Sequence, residues 1–186
     1  MKKVYILTTY TGTVLSYLIS RVTKVPYAHV SIALDENLEE VYSFGRKHVS
    51  NPIFAGFVRE YIDGGLYKKM HNTQCRVYSL ELKDSQYSKL VETINVFVAN
   101  KKKFKYDATA LIRLLCGIPN ENNYKFVCSQ FVAFALEESG VNIFNKPSKT
   151  VTPMDFYTSK LLNVEYEGLL CEYRSNLNSN TTEYSA

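Results

Sequence analysis

Val4 to Thr9 is a short β-prone run, and after Gly12 the apolar positions Leu15, Leu18, Ile19 and Val22 recur at helical spacing. A strand followed by a helix therefore opens the chain, and Pro26 closes that helix. Tyr27 to Leu34 reads as a second strand, with Val30, Ile32 and Leu34 on one face and His29, Ser31 and Ala33 on the other. Asp35, Glu36 and Asn37 form a turn, and Glu40 to Phe44 returns as a strand ended by Gly45. Residues 27–45 are thus expected to make one β-hairpin. From Arg46 to Asn72 the pattern is irregular. Asn51-Pro52, Gly56 and Gly64-Gly65 punctuate it as a loop, with Phe57 to Ile62 as its one short strand candidate.

Arg76 to Leu82 alternates as a strand should. After Asp84-Ser85, Leu90, Ile94, Phe97 and Val98 mark an amphipathic helix to about Asn100. Asp107 is placed to cap a helix carrying Leu111, Leu114 and Leu115 that stops near Gly117 and Pro119. Phe131, Val132, Ala135 and Leu136 define a further helix, which begins at or beside Cys128 and ends at Gly140. Thr152-Pro153 with Asp155 starts another helix, and Val164 to Tyr173 reads as a last strand. Strands and helices alternate without a regular βαβ rhythm, which predicts an α+β fold with an antiparallel sheet packed against helices.

Composition narrows this picture. The 186 residues are 46% hydrophobic and 22% charged, enough for a sizeable core in one domain over residues 1–174. Asn, Ser and Thr dominate from Ser175 onward, so residues 175–186 are expected to be a disordered tail. Fifteen Tyr and ten Phe without Trp predict a core and cleft walls rich in phenol and phenyl rings. The net charge of +4 is weak and unfocused, which argues against nucleic acid as a partner. The run Lys101, Lys102, Lys103 and Lys105 reads as a solvated helix end.

Cys75, Cys116, Cys128 and Cys171 form no CxxC pair, and His71 with Cys75 lacks a second pair of ligands, so neither a disulfide framework nor a metal is expected. No cofactor is called for. The stretch after Lys2 and Lys3 is broken by Thr8 to Thr13 and lacks the apolar region of a secretory signal, and no run reaches the roughly 18 apolar residues of a membrane span. A cytoplasmic protein is expected, with non-classical export as the other route.

Cys128 carries the clearest chemical signal. A cysteine in the first turn of a helix meets unpaired backbone N–H groups and the positive end of the helix dipole. Beside an imidazolium its pKa falls from about 8.5 to roughly 3.5–7.5. The backbone N–H of Cys128 can also face a developing oxyanion. His29 shares its strand face with small residues, as the wall of a cleft does. Packing explains the other cysteines, and exposure in the irregular segment explains His48 and His71. A Cys–His pair is normally completed by a group that orients the imidazole. The returning hairpin strand offers Ser43 on the His29 side, while Tyr42 and Glu40 stay open because register is not fixed by pattern.

These residues also carry a resemblance. Tyr27-Ala28-His29-Val30-Ser31-Ile32-Ala33-Leu34-Asp35, then Val41-Tyr42-Ser43-Phe44, and later Phe126-Val127-Cys128-Ser129-Gln130-Phe131-Val132 resemble the permuted NlpC/P60 group of papain-like enzymes, the YiiX/YebB-like amidases. His precedes Cys, the reverse of papain, as a circular permutation produces. Tyr106-Asp107 also fits the group's pattern. The resemblance implies Cys128 as nucleophile, His29 as general base and Tyr106 as a cleft-lining, substrate-binding residue. Many relatives place a Glu or another strongly polar residue where this chain has Ser43, and a serine brings no charge to the imidazolium.

The resemblance thus implies a thiol hydrolase that cleaves an amide or ester bond through an acyl-enzyme. Its substrate would be a peptide, a peptidoglycan fragment or an acyl-lipid. The related lecithin:retinol acyltransferase-like proteins suggest acyl transfer as an alternative, and the uncharged Ser43 suggests a binding module that keeps the cleft without turnover. Arg46, after a turn, reads as a surface residue, with a substrate carboxylate as its other partner.

Overall fold

In the computed structural model, which describes residues 1–12, 21, 26–48, 51–107, 109 and 122–183, the apolar run near the N-terminus becomes the centre of a sheet. Strand β1 (Lys2–Tyr10) is flanked by β2 (His29–Ala33) and β5 (Gln74–Leu82), both antiparallel to it. Val4 through Thr9 are all buried because both faces of the sheet are covered, which explains a continuous rather than alternating apolar run. Strands β3 (Val41–His48), β4 (Asn51–Glu60), β6 (Lys105–Tyr106), β7 (Lys125–Phe126) and β8 (Asn163–Leu169) complete the order β7-β6-β4-β3-β2-β1-β5-β8. Among the described residues only the short β6–β7 pair is parallel.

One face packs on α2 (Asp84–Ala99) and α3 (Cys128–Glu138). Val4, Ile6, Val30, Ile32 and Phe44 from the strands meet Leu90, Ile94 and Phe97 of α2 and Phe131, Val132 and Leu136 of α3. The phenyl rings expected from composition gather here. Phe97 alone lies within 4.0–6.1 Å, centroid to centroid, of Phe44, Phe57, Phe104, Phe126, Phe131 and Phe134. The other face holds a smaller core of Tyr5, Leu7, Ala33, Val41 and Val77. It is covered by Leu38, by Tyr67 of the short helix α1 (Gly65–Lys69), and by Leu170 and Tyr173.

The hairpin register agrees with the alternation. Ile32 pairs with Tyr42 and Ala33 with Val41, which sends Tyr42 and Phe44 to the helix side and Val41 and Ser43 to the His29 side. Helix α4 (Pro153–Thr158) starts where expected, with the Asp155 carboxylate accepting the Thr152 backbone N–H and hydroxyl at 2.7 Å each.

Four expectations are corrected. Gly45 does not end β3, and the supposed loop after it is largely β4, a ten-residue strand that pairs with β3 from Val41↔Glu60 to His48↔Asn51. Its pairing supplies the order that Pro52 and Gly56 concealed. The last strand stops at Leu169. Residues Leu170–Glu172 turn and α5 (Tyr173–Glu183) follows, where a frayed tail was expected. Its first turn is held by the buried Tyr173, whose hydroxyl donates to the Glu36 carbonyl at 2.8 Å, and by Arg174, paired with Asp63. Cys171 is exposed rather than packed. The helices expected over 15–22 and 107–117, and Cys116 with the latter, fall essentially outside the described residues. Among those described, no helix is long and apolar enough to cross a membrane.

Candidate active site

Cys128 is the first residue of α3, after Val127 at the cap, and Gly140, at φ 72°, ends the run just past Ser139. The first turn is anchored from outside. The Ser129 hydroxyl donates to the Val151 carbonyl at 2.8 Å and the Gln130 amide to the Lys149 carbonyl at 2.6 Å, so the backbone beside Cys128 is held by the segment 149–151. Cys128 is nearly buried and lines the same cleft as His29, and its thiol feels the His29 ring and the backbone N–H groups of Val30 and Ser129.

His29 opens β2, and its Nε2 lies 2.8 Å from Glu60 Oε1. Glu60 is the residue that sequence reasoning missed. It ends β4, two strands from His29 in the sheet, and its carboxylate is 12% exposed. Besides His29 it accepts the Ser43 hydroxyl at 2.8 Å on Oε1, and on Oε2 the Ser31 hydroxyl at 2.6 Å and the Tyr67 hydroxyl at 3.3 Å. A carboxylate so satisfied is well placed to remain an anion inside the protein.

Ser43, the sequence candidate for the orienting group, does reach the site. Its Oγ is 3.3 Å from His29 Nε2, but its shorter bond is the one it donates to Glu60. It therefore supports the carboxylate rather than replacing it. Of the alternatives, Tyr42 stacks on Phe57 on the opposite face, and Glu40 sits half-exposed 3.9 Å from Arg59. Gly45 gives the cluster room, since a Cβ there would lie 3.2 Å from Glu60 Oε1 and 3.5 Å from His29 Cε1.

The cleft beside these groups has a volume of about 360 Å³, within the range of small-molecule sites. Tyr106 lines it, as expected, and burial followed by the charges of Cys128 and Asp107 raises its phenol pKa. No protein-family model matches the chain, and no curated protein matches it.

The electrostatics follow from this packing. Burial pushes against every charge here, yet in each case partners win. Burial would lower the His29 pKa, but the Glu60 charge and the hydrogen bonds to Cys128 and Glu60 raise it well above 6.5. Burial would raise Cys128, but the His29 hydrogen bond and charge and the two backbone N–H groups lower it. Burial would raise Glu60, but His29, Ser31 and Ser43 lower it from 4.5 to about 2. The arrangement favours a thiolate–imidazolium pair braced by a carboxylate.

Stability inherits these shifts. The unfolded chain protonates Glu60 near 4.5, so its contribution is present above that pH and is lost as pH falls toward 2, on the order of 3 kcal/mol. The raised His29 works the other way: its contribution is present below about 6.5 and is lost as pH rises through the folded value. Urea unfolding between pH 2 and 5 should show a steep acid limb that flattens in Glu60→Gln. Parallel limbs in the two proteins would contradict this origin.

Proposed function

We propose that the chain is a cysteine-dependent hydrolase of amide or ester bonds, built on a papain-like α+β fold of the circularly permuted NlpC/P60 kind. One observation carries the reading: a helix-start cysteine lines one cleft with an imidazole whose Nε2 is held 2.8 Å from a buried carboxylate. The chain order, histidine strand before cysteine helix across an antiparallel sheet, supports the permuted fold.

In this mechanism the Cys128 thiolate attacks the carbonyl carbon, and the oxyanion is met by N–H groups at the start of α3. The His29 imidazolium gives its proton to the departing amine or alcohol, which leaves a thioester on Cys128. Neutral His29 then takes a proton from water as the water attacks that thioester, and the acid departs as the thiolate and imidazolium are restored. Glu60 holds the imidazole orientation and charge through both steps, and Tyr106 forms part of the substrate wall. A peptide, a peptidoglycan fragment or an acyl-lipid offers the required carbonyl. A reducing, cytoplasmic setting would keep such a thiolate from oxidation.

Iodoacetamide at pH 6 tests the nucleophile. Cys128 should be alkylated at least about tenfold faster than the exposed Cys171, because its thiolate is stabilised. Labelling at the rate of a model thiol, without preference for Cys128, would remove the basis of the reading. Incubation with activated acyl compounds should add one acyl mass to the wild-type chain and none to Cys128→Ala. Product analysis then separates hydrolysis from transfer to another acceptor.

A further inference from the structure

The charges around the cleft are unequal. Arg46, Lys47 and Arg59 line it, whereas its only lining carboxylate among the described residues is Glu60, already committed to His29 and three hydroxyls. Arg59 turns to the Glu39 carbonyl at 3.0 Å and toward Glu40. Lys47 is exposed and lies over the sheet. Its side chain ends above Gly56, where a Cβ would sit 2.6 Å from Lys47 Cε and 2.9 Å from Nζ, so only glycine leaves that path open.

Gly56 pairs with Gly45 of β3 on one side and with Lys105 of β6 on the other, and Lys105 pairs with Lys125 of β7. Residues directly paired across strands project to the same face. Lys105 and Lys125 therefore join the Lys47 ammonium on the face that carries His29 and Glu60. Like charges placed directly opposite one another destabilise a sheet. Neither Lys47 nor Lys105 is in a salt bridge among the described residues. Between this row and His29 the floor is the Gly45–Gly56 pair, which is backbone alone.

We infer that the substrate carries an anionic group, a carboxylate or a phosphate, which Lys47 and Lys105 bind roughly 5–10 Å, one to two strand spacings, from the scissile carbonyl. This rests on the reading of Cys128 as nucleophile, which directs the carbonyl to His29. The anion pairs with Lys47 and Lys105, neither of which is in a salt bridge among the described residues.

Turnover and binding are measured separately. Adipoyl p-nitroanilide should exceed its ω-methyl ester about tenfold in kcat/KM, one unit of charge pairing, and the ratio should fall toward one in Lys47→Gln and Lys105→Gln. On the Cys128→Ala chain, calorimetry compares hexanamide, adipic acid monoamide and the phosphate monoester of 5-hydroxypentanamide. One or both anions should bind at least tenfold more tightly than hexanamide, with the advantage reduced in the added Lys47→Gln variant and by salt. The tighter of the two identifies the group. Equal affinity for all three ligands, or an advantage that survives both lysine changes, overturns the anion site. Tight anion binding with no turnover by the unaltered chain would instead overturn the nucleophile reading and leave the anion site standing.

Discussion

Glu60→Gln should lower kcat/KM for amide cleavage by about 10²- to 10⁴-fold while leaving the fold intact. Gln keeps the shape, and its one amide oxygen can still accept the Ser43 hydroxyl while its NH2 meets Ser31 as a donor, but the amide has no charge to hold an imidazolium 2.8 Å away. The His29 pKa then falls toward its ordinary value. Because the imidazolium is what favours the thiolate, the Cys128 pKa rises in turn. The rate of Cys128 alkylation against pH should accordingly move to higher pH in the variant. A purely structural defect would reduce the fraction of active protein without moving that curve, so the pH profile separates the two explanations. A variant with unchanged rate and unchanged profile would leave the orienting role to Ser43.

Phe97→Ala should cost about 3–5 kcal/mol of folding stability, the largest effect expected outside the site. Phe97 is buried on α2 and meets six other phenyl rings, five of them carried by the sheet and by α3. Removing it opens a cavity where helix, helix and sheet converge. The melting temperature should drop by about 10 °C, at 2–4 °C per kcal/mol for a chain of this size. Val96→Ala, one residue earlier on the half-exposed face of the same helix, should change stability by about 0.5 kcal/mol or less. Urea unfolding of the pair checks the contrast, and equal losses would mean that α2 is not held by this ring cluster.

The elements with strong local patterns were legible. The helices over Asp84–Ala99 and Cys128–Glu138 and the strands around His29 and Arg76 all stand where their periodicity puts them. Cys128 at a helix start and His29 on a small-residue face could be picked out because each depends on its own neighbours. Glu60 could not be found by the same reasoning. It is 31 residues from His29, beyond Pro52 and Gly56, in a stretch whose breaks look like a loop. One signal was available: within Phe57 to Ile62, Glu60 shares its alternate row with Val58 and Ile62, and a carboxylate in an apolar row calls for a partner. Likewise Ser175 onward reads as tail because its helix has almost no apolar face. What holds that helix is Tyr173 and Arg174 reaching back to Glu36 and Asp63.

By itself, then, the sequence determined the alternation of strands and helices, the mixed α+β class, and a thiol and an imidazole suited to meet. Periodicity and capping are written into adjacent residues, and burial acts on them locally. Tertiary structure alone decided that β3 pairs with β4, and with that pairing came the carboxylate behind His29, Ser43 in a supporting place, and Lys47 laid across Gly56 toward Lys105. Strand pairing is set by the free energy of closing long loops and burying two faces at once. That sum extends over the whole chain and leaves no mark at any one position.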